Sequence, residues 1–536
     1  MRRLPSLFAA LSLLACAPAQ AAPVVFRVGV APQAAGAPAS GRLLIFAEPL
    51  AQAKADAKGQ PIEAVEVSPF HPGEAAVAAQ EVADLAPGAT VDVDADTQAF
   101  PQAFSHLKPG RYAVQAVLDR DHVYNYSGRT AGMLLSPVTE IDLPAGGALT
   151  LDHAIPASDP TAPSPKAPEA QKAAYPLARA DIRPVDFESP ALTAFWGRSM
   201  HIKGWVLLPP GYAASSQRYP VAYWTNGFGG TLAYAYDTAV GRWRDMHDGA
   251  MPPMIWVFLD EGSPTGTHEF ADSVNNGPWG QALTTELIPE LERTYRMDAR
   301  PSGRFLTGHS SGGWATLWLQ VRYPRVFGGT WSTSPDPSDF HDWTGVDIYA
   351  PHANVYHRPD GSPAPLIRDH AKVLGTLENF TKLEVVLGPT GGQQSSFDWV
   401  FSPRGPQGAP LVMFDRTTGD VDPAVVAYWR DHWDIAARLQ RDWPMLKPDL
   451  DGKVHVIVGT ADTFYLDGSA RLLKGVMDGL GARASFRFLP DRTHFDLYRI
   501  GDDKHGLEKT IAWEMYAVAR PGAARPASVP QPQVGP

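Results

Sequence analysis

The strongest constraint on how this chain can fold is the turn Gly308-His309-Ser310-Ser311-Gly312-Gly313, set between two runs of different period. Arg304-Phe305-Leu306-Thr307 ahead of it reads as a strand, and Trp314 to Val321 behind it as a helix. A G-x-S-x-G spelling in that setting demands a sharp strand-to-helix turn with a serine at its apex. Small residues on either side let strand and helix approach closely, and the strained apex projects the hydroxyl from the sheet edge. The helix N-terminus just behind adds the positive end of a dipole. The surrounding sequence alternates strand-like and helix-like segments, the pattern of a mainly parallel sheet covered by helices. Val221 to Trp224, Met254 to Leu259, Val454 to Val458 and Ser485 to Leu489 read as further strands. Ala282 to Arg296 places Leu283, Leu287, Ile288, Leu291 and Tyr295 on one helical stripe.

A serine hydroxyl is a weak nucleophile and needs a base, which in turn needs an orienting acid. In a sheet of this type the order along the chain is Ser, acid, His. Asp462, in Val458-Gly459-Thr460-Ala461-Asp462, follows one strand, and His494, in Thr493-His494-Phe495, follows the next. A helical stripe of Ala470, Leu473, Val476 and Leu480 lies between them, so one strand–helix–strand unit brings both to the sheet edge that carries Ser310. Asp467, further into the same loop, and Asp336, in Thr333-Ser334-Pro335-Asp336, are the alternative acids. Attack on a carbonyl develops an oxyanion, which needs pre-aimed N–H donors. The Ser311 backbone N–H is one; the other is expected from Asn226-Gly227-Phe228-Gly229-Gly230, at Phe228 with Gly229 as the alternative.

Outside this region the composition narrows the choices. The net charge of −11 makes nucleic acid a poor partner, because phosphate tracking needs a basic face. A single cysteine, Cys16, excludes an internal disulfide and a cysteine-based zinc site. His341, His352, His357 and His370 lack the spacing of a helical metal pair, so no metal is expected. Residues 1–22 read as a secretory signal peptide: two arginines, an apolar run from Leu7 to Ala15, then Ala19-Gln20-Ala21 as a cleavage site. Leu13-Leu14-Ala15-Cys16 also resembles a bacterial lipobox, with Cys16 as the acylated residue. Either way the protein is expected to be exported, to the periplasm or beyond, and no run is long enough for a transmembrane helix. Residues 156–175 are Pro- and Ala-rich and read as a semi-rigid linker, and 521–536 as a disordered tail. Ahead of the linker, 24–155 read as short strands separated by turns, with Leu107 to Val114 like the tyrosine-corner approach of an immunoglobulin-like β-sandwich. From Pro23 to Asp152 there are 8 basic against 15 acidic residues, an acidic solvated surface.

These segments together resemble one family. The G-x-S-x-G turn, the N-G-F-G-G loop, Glu286-Leu287-Ile288-Pro289-Glu290-Leu291-Glu292 with Tyr295-Arg296, and the G-T-A-D and T-H-F segments look like the putative esterase (esterase D-like) branch of α/β-hydrolases. That branch includes S-formylglutathione hydrolase, enterochelin esterase, feruloyl esterases and mycolyltransferases. The resemblance implies an α/β-hydrolase fold over 176–520, cleavage of a carboxylic ester on a small molecule or carbohydrate, and no cofactor. A β-sandwich ahead of it is similar to the enterochelin esterase arrangement. Asn226 stands where that loop usually has His, and 152 residues separate Ser310 from Asp462. The long interval points to an insertion at about 337–450, rich in Trp, His, Pro and Gly, that roofs the pocket. Acyl transfer to a sugar or lipid by the same three residues, and a non-catalytic binding protein on the same scaffold, are the rival readings.

Overall fold

A computed structural model of the 536-residue chain describes residues 22–125, 128–527 and 529. Residues 1–21, the bulk of the expected signal peptide with its Cys16, and residues from 530 onward therefore lie outside the described residues. Within the described part of the tail, Arg525 donates to Thr510 Oγ1 (3.3 Å) and to the Val529 carbonyl (3.2 Å).

The central sheet has eight strands: β1 (Ile182–Glu188), β2 (His201–Leu207), β3 (Val221–Thr225), β4 (Ile255–Leu259), β5 (Arg304–His309), β6 (Gly329–Thr333), β7 (Val454–Gly459) and β8 (Ala484–Leu489). They lie in the order β1-β2-β4-β3-β5-β6-β7-β8. β1 and β2 run antiparallel to their neighbours, and every pair from β4 to β8 is parallel. Strands β3 and β4 are buried at every position, which is why Val-Ala-Tyr-Trp-Thr and Ile-Trp-Val-Phe-Leu read as continuous apolar runs. This is the mixed sheet of an α/β-hydrolase-like fold. Parallel strands bring their C-terminal ends to one rim, where ligands of open α/β sheets sit.

Helices α1 (Leu232–His247), α2 (Ser311–Arg322), α3 (Leu377–Leu387), α4 (Gln393–Phe401), α5 (Pro423–His432), α6 (Ile435–Leu450), α7 (Leu466–Gly479) and α8 (Gly506–Ala519) surround it. Much of the segment 337–450 is a buttress for α2. Trp314 of α2 packs on Trp318 and Phe401, with ring centroids 5.4 and 4.8 Å apart. Around them, Phe340, Trp343, Trp429 and Trp433 complete one buried aromatic core. The tryptophans that made this segment unreadable in sequence are thus packing residues. Its last part, α6, lies against α2 and α7 and is the crossover from β6 to β7. Part of the linker is also ordered: Glu169–Ala178 is helical, and its Tyr175 packs on Tyr236 of α1 at 5.6 Å.

The N-terminal region forms two sheets. Val25–Val30 pairs antiparallel with Thr90–Asp94 and parallel with Gly147–Leu151. A larger sheet is built on Ala39–Pro49, Ala76–Leu85 and Gly110–Asp119. Along Ala39–Pro49, Leu43, Ile45 and Ala47 face the smaller sheet. Leu44 and Phe46 face the other way, onto Leu383, Val386 and Leu387 of α3. The central strand is therefore covered by the smaller sheet on one side and, on the other, by N-terminal residues such as Ala53, Val65, Val67 and Tyr124 together with α3. Arg42 seals that contact: its guanidinium donates to the Val386 (2.8 Å) and Val385 (3.1 Å) carbonyls in the last turn of α3, where a cation also suits the helix dipole.

Trp429 is fully buried among Phe340, Trp343 and Phe401, and its Nε1 donates to Ser402 Oγ at 2.9 Å. Trp429→Ala is expected to cost about 3–5 kcal/mol, seen as a lower midpoint in urea unfolding.

Candidate active site

Ser310 sits between β5 and α2 with φ 60° and ψ −126°, a conformation that costs a non-glycine residue about 1–3 kcal/mol. The surroundings over-determine it. Its N–H donates to the Thr333 carbonyl of β6 (3.1 Å), and its carbonyl accepts from Trp314 (3.0 Å) and Asp336 (3.2 Å). The two motif glycines are sterically required. A Cβ on Gly308 would strike the Gly312 carbonyl, and one on Gly312 would strike the Asn226 carbonyl and come within 2.5 Å of Thr225 O. The Asn226–Gly230 loop lies directly against the nucleophile: a Cβ on Gly227 would fall 2.9 Å from the Ser310 Cβ. Gly229 has φ 77°, and the Gly230 N–H donates to the Gly227 carbonyl (3.1 Å) to close the turn. The Asn226 side chain folds across Gly230 inside this loop, leaving no room there for a Cβ. Ser311 is the buried first residue of α2, where backbone N–H groups have no intrahelical acceptor.

The two residues placed beyond β7 and β8 meet. His494 Nδ1 lies 2.9 Å from Asp462 Oδ2, with both side chains buried. The other oxygen of Asp462 accepts from the backbone N–H groups of Phe464 (2.9 Å) and Leu466 (3.4 Å). Burial alone would raise this carboxyl. The adjacent His494 ring and the hydrogen bond from the Phe464 N–H outweigh burial and hold it below the usual carboxylate range. His494 is boxed by Phe464 (4.9 Å, 86°), Phe495 (5.5 Å, 83°) and His309 (4.3 Å). Burial, and then the neighbouring His494, pushes His309 down to about 3, so it stays neutral.

The alternative acids are engaged elsewhere. Asp467 pairs with Arg368 at 2.9 Å. Arg368, from the hairpin Pro365–Asp369, also donates to the Asp462 carbonyl (2.8 Å), so the 337–450 segment clamps the acid-bearing loop. Asp336 sits under Ser310, accepting from Ser311 Oγ (2.6 Å) and, at 3.5 Å, from Ser310 Oγ. Burial pushes its carboxyl up to about 6 despite these bonds and the nearby His494. Glu261 and Glu269 are buried beside it, and burial followed by the Asp336 charge pushes both well above the ordinary range.

Ser310 and His494 share a cavity of about 290 Å³ with Asn226, Gly227, Phe228 and Asp336. Its apolar wall comes from Tyr234, Leu366, Trp343 and Phe397 on one part and Phe70, Phe464 and Phe495 on another. Of the aromatics close in sequence to the motifs, Phe228 and Tyr234 reach this cavity, whereas Trp224, Tyr236, Trp279 and Trp314 are core. Phe70, Trp343, Phe397 and Arg368 lie far from the motifs along the chain, and no local signal marks them. Among the described residues no group of three or more His, Cys, Asp or Glu is placed to hold a metal ion, and no helix is long and apolar enough to cross a membrane. His341 and His370 instead pair with Asp339 (2.7 Å) and Asp369 (2.8 Å).

Residues 196–442 match the family model described as Putative esterase. The matched part contains Ser310 but ends before Asp462 and His494. Two curated proteins of Mycobacterium tuberculosis, Esterase MT1326 and Esterase Rv1288, are each 30% identical to this chain over 131 residues. That stretch is 24% of this chain, and the chain spans only 28% of the length of these relatives. Among solved structures, a ferulic acid esterase shares 15% identity, covering 63% of this chain and 97% of its own, with a TM-score of 0.36. An S-formylglutathione hydrolase from Agrobacterium tumefaciens shares 12%, covering 63% and 94%, with a TM-score of 0.38.

The position of Asp336 sets a pH dependence. A carboxyl raised from 3.8 to about 6 holds its proton more tightly in the folded protein than in the unfolded chain. Stability then falls as pH rises through that window, and the loss persists above it. Asp336→Asn removes the term, so its thermal midpoint relative to the parent is expected to gain a few degrees between pH 4 and pH 7.5. Scanning calorimetry at both pH values checks this.

Proposed function

We propose that this chain is an exported serine esterase that cleaves a carboxylic ester through Ser310, His494 and Asp462. The observation that carries the reading is the His494–Asp462 bond (2.9 Å) in the wall of the cavity that the strained Ser310 enters. In this mechanism Ser310 Oγ attacks the ester carbonyl while His494 Nε2 takes its proton. Asp462, fixed on Nδ1, holds the tautomer and stabilises the imidazolium. The tetrahedral oxyanion is held by the backbone N–H groups of Ser311 and Phe228, with Gly229 as the alternative to Phe228. The imidazolium returns its proton to the departing alkoxide, leaving an acyl-Ser310. A water deprotonated by His494 then attacks the acyl carbon, releasing the acid and restoring Ser310–OH. No Lys or Arg lines the cavity, and its one acidic residue is Asp336, which leaves no cation to pair with a charged substrate group and suits an uncharged ester.

We read the N-terminal two-sheet unit as an immunoglobulin-like sandwich. The Tyr112 hydroxyl donates to the Lys108 carbonyl four residues upstream (2.8 Å), the bond a tyrosine corner makes. Export rests on the leader sequence of residues 1–22.

Ser310→Ala is expected to reduce kcat for p-nitrophenyl acetate by about 10⁴-fold or more without changing the circular dichroism spectrum. Asp462→Asn should lose about 10²- to 10⁴-fold. A fluorophosphonate probe should label the parent protein and not Ser310→Ala. Unchanged turnover in Ser310→Ala, or labelling at another residue, overturns the assignment.

A further inference from the structure

Phe70 belongs by chain position to the N-terminal region, yet its ring lies in the wall of the cavity that holds Ser310 and His494. It meets Phe495 at a centroid distance of 5.7 Å and Phe464 at 6.1 Å, both edge-on. The residues that deliver it, between the helix Leu50–Asp56 and the strand Ala76–Leu85, have little regular structure but are firmly held. Val65 and Val67 are buried in the core beneath the larger N-terminal sheet. The Val65 N–H donates to Gln115 Oε1 (3.1 Å), and its carbonyl accepts from Arg129 (2.7 Å). Between these valines, Glu66 pairs with Arg129 (2.7 Å) and accepts from the Tyr124 hydroxyl. A tight turn follows, with the Phe70 N–H on Ser68 Oγ (3.2 Å) and the His71 N–H on the Ser68 carbonyl (3.2 Å). The Pro69 carbonyl lies flush on the hairpin Pro365–Thr376, 3.0 Å from where a Cβ on Gly375 would sit. Such anchoring fixes one half-buried ring at the rim of a site built by another part of the chain.

The chemistry says which part of an ester that ring meets. His494 must hand its proton to the leaving oxygen, so the alcohol part lies on the His494 side of the scissile carbonyl. Phe464 and Phe495 flank that imidazole, and Phe70 closes the group. Edge-to-face packing among these rings suits a further flat aromatic group entering between them. We propose that Phe70 is a specificity-determining residue, completing with Phe464 and Phe495 an aromatic wall for the alcohol moiety. The preferred substrates are then esters of aromatic alcohols. This rests on the serine esterase reading and gives the N-terminal region a role in substrate choice.

The test compares two acetates that differ only in the alcohol, 2-naphthyl acetate and methyl acetate, on the full chain. Phe70→Ala is expected to lower kcat/KM for the naphthyl ester by about tenfold, while methyl acetate changes by less than about twofold. Phe70→Tyr, which keeps a ring, should restore most of the loss. Phe70→Leu, which keeps bulk without a ring, should fall between them and serves if the alanine variant does not fold. Fluorophosphonate labelling of each variant reports an intact nucleophile. A ratio between the two esters that stays the same in every variant overturns the Phe70 proposal and leaves the esterase reading standing. A parent protein that hydrolyses neither ester and takes up no probe overturns the esterase reading, and this proposal with it.

Discussion

Backbone meets backbone on both sides of Ser310, and the rest of the site is arranged around that contact. With hydrogen in place of Cβ at positions 308, 312 and 227, strand β5, helix α2 and the loop after β3 close to van der Waals distance around one residue. The packing forces the Ser310 backbone to a positive φ and leaves its side chain one direction, outward over the rim. Bonds to Thr333, Trp314 and Asp336 fasten the turn to β6, to α2 and to the loop beyond β6. The His494 imidazole and the Asp462 carboxylate arrive from the loops after β8 and β7 because parallel strands end at the same edge.

Around this centre the polar and apolar groups divide the work. The ionised carboxylate is the one on the histidine, kept charged by that ring and by backbone donors. The carboxyl of Asp336 beneath Ser310 is pushed up to about 6, chiefly by burial. Two carboxyl groups in one site thus titrate apart through their surroundings alone. The aromatic mass of the 337–450 segment serves mainly to press on the back of α2, and only its edge, at Trp343 and Phe397, reaches the cavity.

The sheet and the turn were legible in the sequence because their signals are local. Strands β3, β4 and β7 are short apolar runs buried at nearly every position, and the spacing of Ser310, Asp462 and His494 follows from which strand each one ends. Its place directly after a strand favours Asp462 over Asp467 and Asp336, although all three stand in loops at the same rim. What separates them is a partner: His494 for the first, Arg368 for the second and Ser311 for the third. Strand Ala76–Leu85 carries little signal of its own, because alanines and a glutamate have little β preference, and pairing with Ala39–Pro49 decides its state. Helix α6 was hidden by Pro444 and Pro448, and its place against α2 and α7 is set by tertiary packing. Phe70 could not be found at all from a single sequence, because its meaning depends on a contact with residues some four hundred positions away.

The two-sided burial of the strand Ala39–Pro49 changes what the Pro-rich stretch after residue 155 means. By composition it is a seam, but helix α3, from the other side of that seam, adds Leu383, Val386 and Leu387 to the outer N-terminal core, and its last carbonyls accept from Arg42. The stretch therefore joins two parts that also share buried apolar surface, an interlock that ties them independently of the covalent join.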